Sequence, residues 1–133
     1  MTGVSSTVGI VVVAHSRTLA EGVAELGRQM GVGAVRVEPA GGDVDGGLGT
    51  SIELVERAVR AADQGAGVVL LADIGSSVLT AKTFIEDAGG DVVFADAPLV
   101  EGVVAAASAA CGGAGLAAVA RAATDAYGFR KTR

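Results

Sequence analysis

Val8-Gly9-Ile10-Val11-Val12-Val13-Ala14, with His15-Ser16-Arg17 directly behind it, is the stretch that decides the fold. It has the length of a strand and is apolar throughout. A strand covered on one face alternates apolar and polar residues, whereas a central parallel strand covered on both faces reads as an unbroken apolar run. No basic residue precedes it, so it lacks the positive leader of a signal peptide. The reading is therefore a buried strand that ends at a histidine.

Downstream, helical and strand-like stretches alternate. From Thr18 to Met30, Leu19, Val23, Leu26 and Met30 recur at helical spacing, and Gly31 and Gly33 end that helix. Ala34-Val35-Arg36-Val37 reads as a second strand, followed by the glycine-rich loop Gly41–Gly49. Thr50 or Ser51 caps a second helix with Glu53 or Glu56 in its first turns, and Gly65-Ala66-Gly67 stops it. Its apolar face includes Ile52, Leu54, Val55, Ala58, Val59 and Ala62. Val68–Ala72 is a third strand, apolar on both faces, and after Asp73-Ile74-Gly75-Ser76-Ser77 a third helix runs through about Glu86. Asp91–Ala95 is the fourth strand, Pro98 opens the next helix, and Gly112-Gly113 interrupts an otherwise helical remainder.

This βαβαβαβα pattern predicts an α/β fold, with a doubly wound, mostly parallel sheet of about four strands and helices on both faces. Right-handed crossovers give the strand order 2-1-3-4. The 133 residues fit a single domain, 1–133. In open sheets of this kind, chemistry gathers beyond the carboxyl ends of the strands, where the winding direction reverses. Here that point lies between the first and third strands, which end at His15 and Asp73.

An imidazole at that edge faces the mouth of the crevice, and Asp73 on the neighbouring strand lies within its reach. A carboxylate accepting the Nδ1 proton would fix the tautomer and leave Nε2 as a nucleophile. Asp73 also has a plainer reading, as the N-cap of the third helix. The Gly75-Ser76-Ser77 turn offers helix-end amides and two hydroxyls to anionic oxygens, and Ser16 stands beside the histidine to do the same. Plain capping would account for these residues equally well.

Composition removes other classes. The net charge is −5 and the pI about 4.7, which disfavours nucleic acid and anionic membranes, despite the short basic tail Arg130-Lys131-Thr132-Arg133. The loop Gly41–Gly49 has no lysine, so it is not a Walker phosphate loop, and Asp43 and Asp45 read as solvated residues of a mobile loop. No metal site and no cofactor are expected. The lone Cys111 reads as a small buried side chain, and the reducing cytoplasm is the natural compartment. The uncharged stretch Gly102–Ala120 reads as the end of one packed helix and the start of another, not as a membrane span.

Taken together, several segments resemble the mannose-type IIA family of the bacterial phosphotransferase system. They are Ile10–Ser16, Leu19-Ala20-Glu21-Gly22-Val23 with Gln29-Met30, Gly49-Thr50, Leu71–Ser77 and Ala97-Pro98-Leu99-Val100-Glu101-Gly102. Within that family the chain looks most like the phosphotransferase subunits of phosphoenolpyruvate-dependent dihydroxyacetone kinases. The resemblance implies that His15 accepts a phosphoryl group at Nε2 from the histidine-containing phosphocarrier protein. It implies further that ADP on the nucleotide-binding kinase subunit receives that group, that Asp73 is the active-site aspartate, that Thr50 lies near the histidine, and that the protein forms a homodimer. Sugar-transporter members usually carry Gly-Gly-Ser/Thr-Pro after the aspartate. Gly75-Ser76-Ser77-Val78 has one glycine and no proline, which favours the kinase branch. The chain stops after its last helix, so a separate donor is expected to supply the phosphate. The alternatives are the IIA domain of a mannose-class sugar transporter and a noncatalytic binding module whose histidine has no chemical role.

Overall fold

A computed structural model describes residues 6–132. Four strands, β1 (Gly9–Ala14), β2 (Val37–Gly41), β3 (Val68–Ala72) and β4 (Val92–Phe94), form one parallel sheet in the order β2-β1-β3-β4. Five helices accompany it: α1 (Arg17–Met30), α2 (Ile52–Ala62), α3 (Ser76–Ala88), α4 (Leu99–Cys111) and α5 (Leu116–Asp125), with a short 3-10 turn at Ala126–Gly128. The α/β class and the strand order are those read from the sequence.

β1 sits inside the sheet, and its side chains divide between two cores. Ile10, Val12 and Ala14 pack with Val69 and Leu71 beneath α1, α4 and α5, while Val11 and Val13 join Val68 and Leu70 beneath α2 and α3. All six residues of β1 are buried, which explains the unbroken apolar run.

The elements differ from the sequence reading where packing or edges intervene. The second strand lies at Val37–Gly41 instead of Ala34–Val37. Ala34 still belongs to the turn after α1, its amide donating to the Gly31 carbonyl at 2.9 Å, and Val35 closes over Gly31. Pro39 enters the strand because β2 is an edge strand, where a missing N–H is tolerated. β4 is shorter than Asp91–Ala95, although the Asp91 carbonyl and the Ala95 amide still bond to β3 at 2.9 Å each. α3 continues to Ala88, where Gly89, at φ +63°, ends it.

α1 turns Ala20, Val23, Ala24 and Gly27 inward, and Leu19, Leu26 and Met30 are exposed. Small residues win this face because the helix approaches its neighbours so closely. A Cβ at Gly27 would come within 2.8 Å of Val103 in α4 and 3.1 Å of Val37 in β2. α2 buries Val55, Ala58, Val59 and Ala62 but leaves Ile52 exposed.

Cys111 is exposed, contrary to the buried reading, because it is the last residue of α4 before the Gly112-Gly113 turn. That turn separates α4 from α5 within the uncharged stretch, and among the described residues no helix is long and apolar enough to cross a membrane. Lys131 of the basic tail bonds to Glu101 in α4, at 2.6 Å, and Arg133 lies outside the described residues.

Two glycines test this packing. A Cβ at Gly9 would fall on the Ala62 carbonyl at the end of α2, whereas one at Gly22, within α1, meets nothing within 4 Å. Gly9→Ala is expected to destabilise the protein by about 1–3 kcal/mol through overpacking. Gly22→Ala is expected to stabilise it by about 0.4–1 kcal/mol through the unfolded chain. Urea denaturation of the two variants checks both signs.

Candidate functional site

Two neighbouring strands and one helix end build the site. β1 and β3 run parallel with Val13 beside Ala72, so Asp73, directly after Ala72, and His15, one residue past the end of β1 at Ala14, emerge close together at the carboxyl edge of the sheet. The Asp73 amide donates to the Val13 carbonyl at 3.0 Å, continuing the ladder up to the site. From the other side, the Gly49 amide donates to the His15 carbonyl at 3.0 Å and fixes the glycine-rich loop against the turn.

The Asp73 carboxylate is heavily engaged. Oδ2 accepts from the backbone amide of His15 at 3.0 Å, and Oδ1 accepts from the Ile74 amide at 2.8 Å. The imidazole Nδ1 lies 3.1 Å from Oδ1 and 3.2 Å from Oδ2. Burial pushes the carboxyl upward, but bonds from the His15 amide, the Ser77 hydroxyl, the Ile74 amide and the imidazole outweigh it and hold the pKa below its ordinary 3.8. An ionised carboxylate accepts and cannot donate, so it selects the tautomer with the proton on Nδ1. Nε2 then carries a free electron pair. The histidine side chain is 31% exposed and the aspartate 12%, so the imidazole is the more open of the two while the carboxylate stays covered.

Ser76 Oγ lies 2.8 Å from Nε2, and in the Nδ1–H tautomer its hydroxyl donates to that nitrogen. Ser77 is fully buried, with Oγ 3.1 Å from Nδ1. Gly75 precedes them as the N-cap of α3 at φ +47°, a backbone region that favours glycine. The Ser77 amide donates to the Ile74 carbonyl and the Val78 amide to Gly75, while among the described residues no carbonyl accepts from the Gly75 or Ser76 amides. Those two donors can meet an anion at the start of α3.

His15, Asp73, Gly75, Ser76 and Ser77 thus converge as the sequence suggests. Asp73 is not the cap of α3, since Gly75 occupies that position and the carboxylate is turned to His15 and Ile74. Ser16 caps α1, with Oγ accepting from the Leu19 amide at 3.1 Å. Thr50 bonds to Thr80 in α3 at 2.9 Å and joins the loop to the helix that carries the two serines, while Ser51 caps α2. Asp43 is half-buried and organises its loop, Oδ1 accepting from the amides of Asp45 at 2.9 Å and Gly47 at 2.8 Å, instead of standing free in solvent. The backbone amides of His15 and Ile74 as carboxylate donors escaped the sequence reading. Only the turn geometry could reveal them.

An exposed nucleophilic nitrogen, backed by a covered carboxylate and faced by free amides, is the equipment of a group-transfer protein that works on anions. The family model described as the fructose IIA component of the phosphotransferase system matches residues 9–120, and the chain belongs to this family. Its class is accordingly that of a phosphotransferase-system phosphocarrier. One relative is the phosphoryl donor subunit DhaM of PEP-dependent dihydroxyacetone kinase 2 from Listeria innocua, 32% identical over 57% of this chain. That match spans 61% of the relative's own length. The crystal structure of EF1359, described as a protein of unknown function, superposes with a TM-score of 0.82 at 28% identity, over 96% of this chain and 99% of that one.

The lowered Asp73 pKa has a stability consequence. Its contribution is full above the unfolded carboxyl value of 3.8 and is lost as the pH falls through the lower folded value. The stability difference between the wild type and Asp73→Asn, measured by urea denaturation from about pH 6 to about pH 2, is therefore expected to shift in favour of Asn as the pH falls.

Proposed function

We propose that the protein accepts a phosphoryl group on Nε2 of His15 from a histidine-containing phosphocarrier protein and passes it to ADP held by the nucleotide-binding subunit of a dihydroxyacetone kinase. The observation that carries this reading is Asp73 at Nδ1, with Nε2 left on the exposed side of the ring. In the uptake step the Nε2 pair forms a bond to phosphorus while the donor's phosphorus–nitrogen bond breaks and its electron pair returns to the donor imidazole. The Nδ1 proton stays in place, and Asp73 balances the positive charge that grows on the ring. Ser76 withdraws its hydroxyl from Nε2 as phosphorus arrives, and the Gly75 and Ser76 amides meet the phosphoryl oxygens. Delivery reverses these movements, with ADP oxygen as the attacking atom.

The Listeria relative supports the kinase branch, as does Gly75-Ser76-Ser77-Val78 in place of a Gly-Gly-Ser/Thr-Pro segment. The fructose description of the family model favours a second reading, the IIA domain of a mannose-class sugar transporter. In either branch the protein works in the cytoplasm, and a homodimer is the proposed assembly.

Incubation with phosphoenolpyruvate and the general phosphotransferase proteins tests the carrier chemistry. The expected product is an acid-labile, base-stable phosphoryl adduct that His15→Ala abolishes. Its absence from the wild type would leave a binding module. Asp73→Asn is expected to slow uptake by about 10²- to 10³-fold, the range for removing one stabiliser of developing charge. Transfer from the phosphorylated chain to kinase-bound ADP supports the kinase branch, and transfer only to a permease IIB domain supports the transporter branch.

A further inference from the structure

A cavity of about 270 Å³ opens at the end of the edge strand β2, with α1 on one side and α2 on the other. None of the residues gathered around the imidazole lines it, yet it stands beside them. Gly41, in its wall, is pressed so closely on the turn after β1 that a Cβ would fall 2.5 Å from the Ser16 carbonyl oxygen and 2.8 Å from the Arg17 Cα. The glycine-rich loop begins at this wall and ends with the Gly49 amide on the His15 carbonyl.

Two arginines reach the cavity from different helices, Arg17 at the start of α1 and Arg57 in α2. Like charges brought to one hollow repel each other, and an anion between them removes that cost. Two carboxylates also line the cavity, but neither takes this place. Asp43 Oδ1 is committed to its own loop, where it accepts from the amides of Asp45 and Gly47. Glu21 stands 4.0 Å from Arg17 Nε on the exposed helix surface, too far for a hydrogen bond. Arg57 has no acceptor among the described residues, whereas Arg60, three residues on, holds Glu56 at 3.2 Å. A guanidinium is a planar fork of donors that matches phosphate oxygens in pairs.

Size narrows the ligand. The volume lies just below the range of about 300–1,000 Å³ found for drug-sized ligands, so a whole nucleotide is excluded and a small ester is admitted. Pro39, Val44 and Leu54 give the rest of the wall an apolar surface. We propose that this cavity binds a small phosphomonoester, with its phosphate on Arg17 and Arg57 and its carbon skeleton against Pro39, Val44 and Leu54. The site is separate from the phosphoryl centre at His15 and does not depend on the carrier function. The loop that lacks the lysine of a nucleotide site thus helps to wall a different phosphate site.

Amide NMR of the full unphosphorylated chain tests this, with titration by inorganic phosphate and by glycerol 1-phosphate at constant ionic strength. Saturable shifts are expected at Ala40, Gly41 and Val44, with the ester bound more tightly than inorganic phosphate. Both arginines are exposed, so substituting them leaves the core untouched. Arg17→Gln and Arg57→Gln are each expected to weaken the ester about tenfold, the effect of losing one charged hydrogen-bond partner. Glu21→Gln, which removes a competing carboxylate, is expected to tighten it about twofold to fivefold. His15→Ala is expected to bind as the wild type does.

Shifts confined to Gly75 and Ser76 would place the anion at the start of α3 and overturn the proposal. So would shifts that do not saturate, an affinity unchanged in both arginine variants, or an ester bound no more tightly than inorganic phosphate. The titration requires no phosphorylation, so failure of the carrier reading appears separately, as a wild-type chain that takes up no phosphoryl group.

Discussion

The pairing of Asp73 with His15 depends on a single structural fact, the parallel adjacency of β1 and β3. Their register places Val13 beside Ala72 and lets the residues that follow meet at the sheet edge. A shift of one residue would turn one partner toward the opposite face, because strand side chains alternate. Burial of β1 on both faces resists such a shift, since every residue from Ile10 to Ala14 already fills one of two cores. The chemistry of the site is thus held by hydrophobic packing several residues away from it.

That packing relies on small side chains. Gly27 admits Val103 and Val37 against α1, and Gly41 lies so close to Ser16 and Ala20 that a Cβ would meet both within 2.6 Å. The abundance of glycine and alanine, which gives no individual contact away, is what lets helices lie directly on the sheet. It also keeps the turn after β1 pressed to the end of β2, and so holds the histidine at the rim. Close packing of this kind tolerates little added volume.

The polar cluster follows a similar economy. One carboxylate gathers two backbone amides and an imidazole, so burial does not neutralise it. The Asp73 carboxylate lies close to the Nδ1 side of the ring, while Nε2 faces solvent and a single exposed serine. A carrier must be reached by a donor and by an acceptor in turn, and an open rim with a covered orienting acid reconciles access with control.

Sequence alone determined the order of elements, the parallel sheet, its strand order and the two strand ends that matter. Apolar periodicity and glycine placement are local signals, and handed crossovers restrict how they can be assembled. His15, Asp73 and the serine turn were legible because the residues closing the first and third strands must lie at the switch point. Tertiary structure alone decided that α1 buries Ala20 and Gly27 instead of Leu19 and Met30, that Cys111 is exposed, and that Pro39 belongs to an edge strand. It also decided that Ser16 caps a helix, that Thr50 serves Thr80, and that Ser77 turns to the carboxylate side of the ring. These outcomes depend on interhelical distance and on the direction of individual bonds, and both are set by residues far apart in the chain.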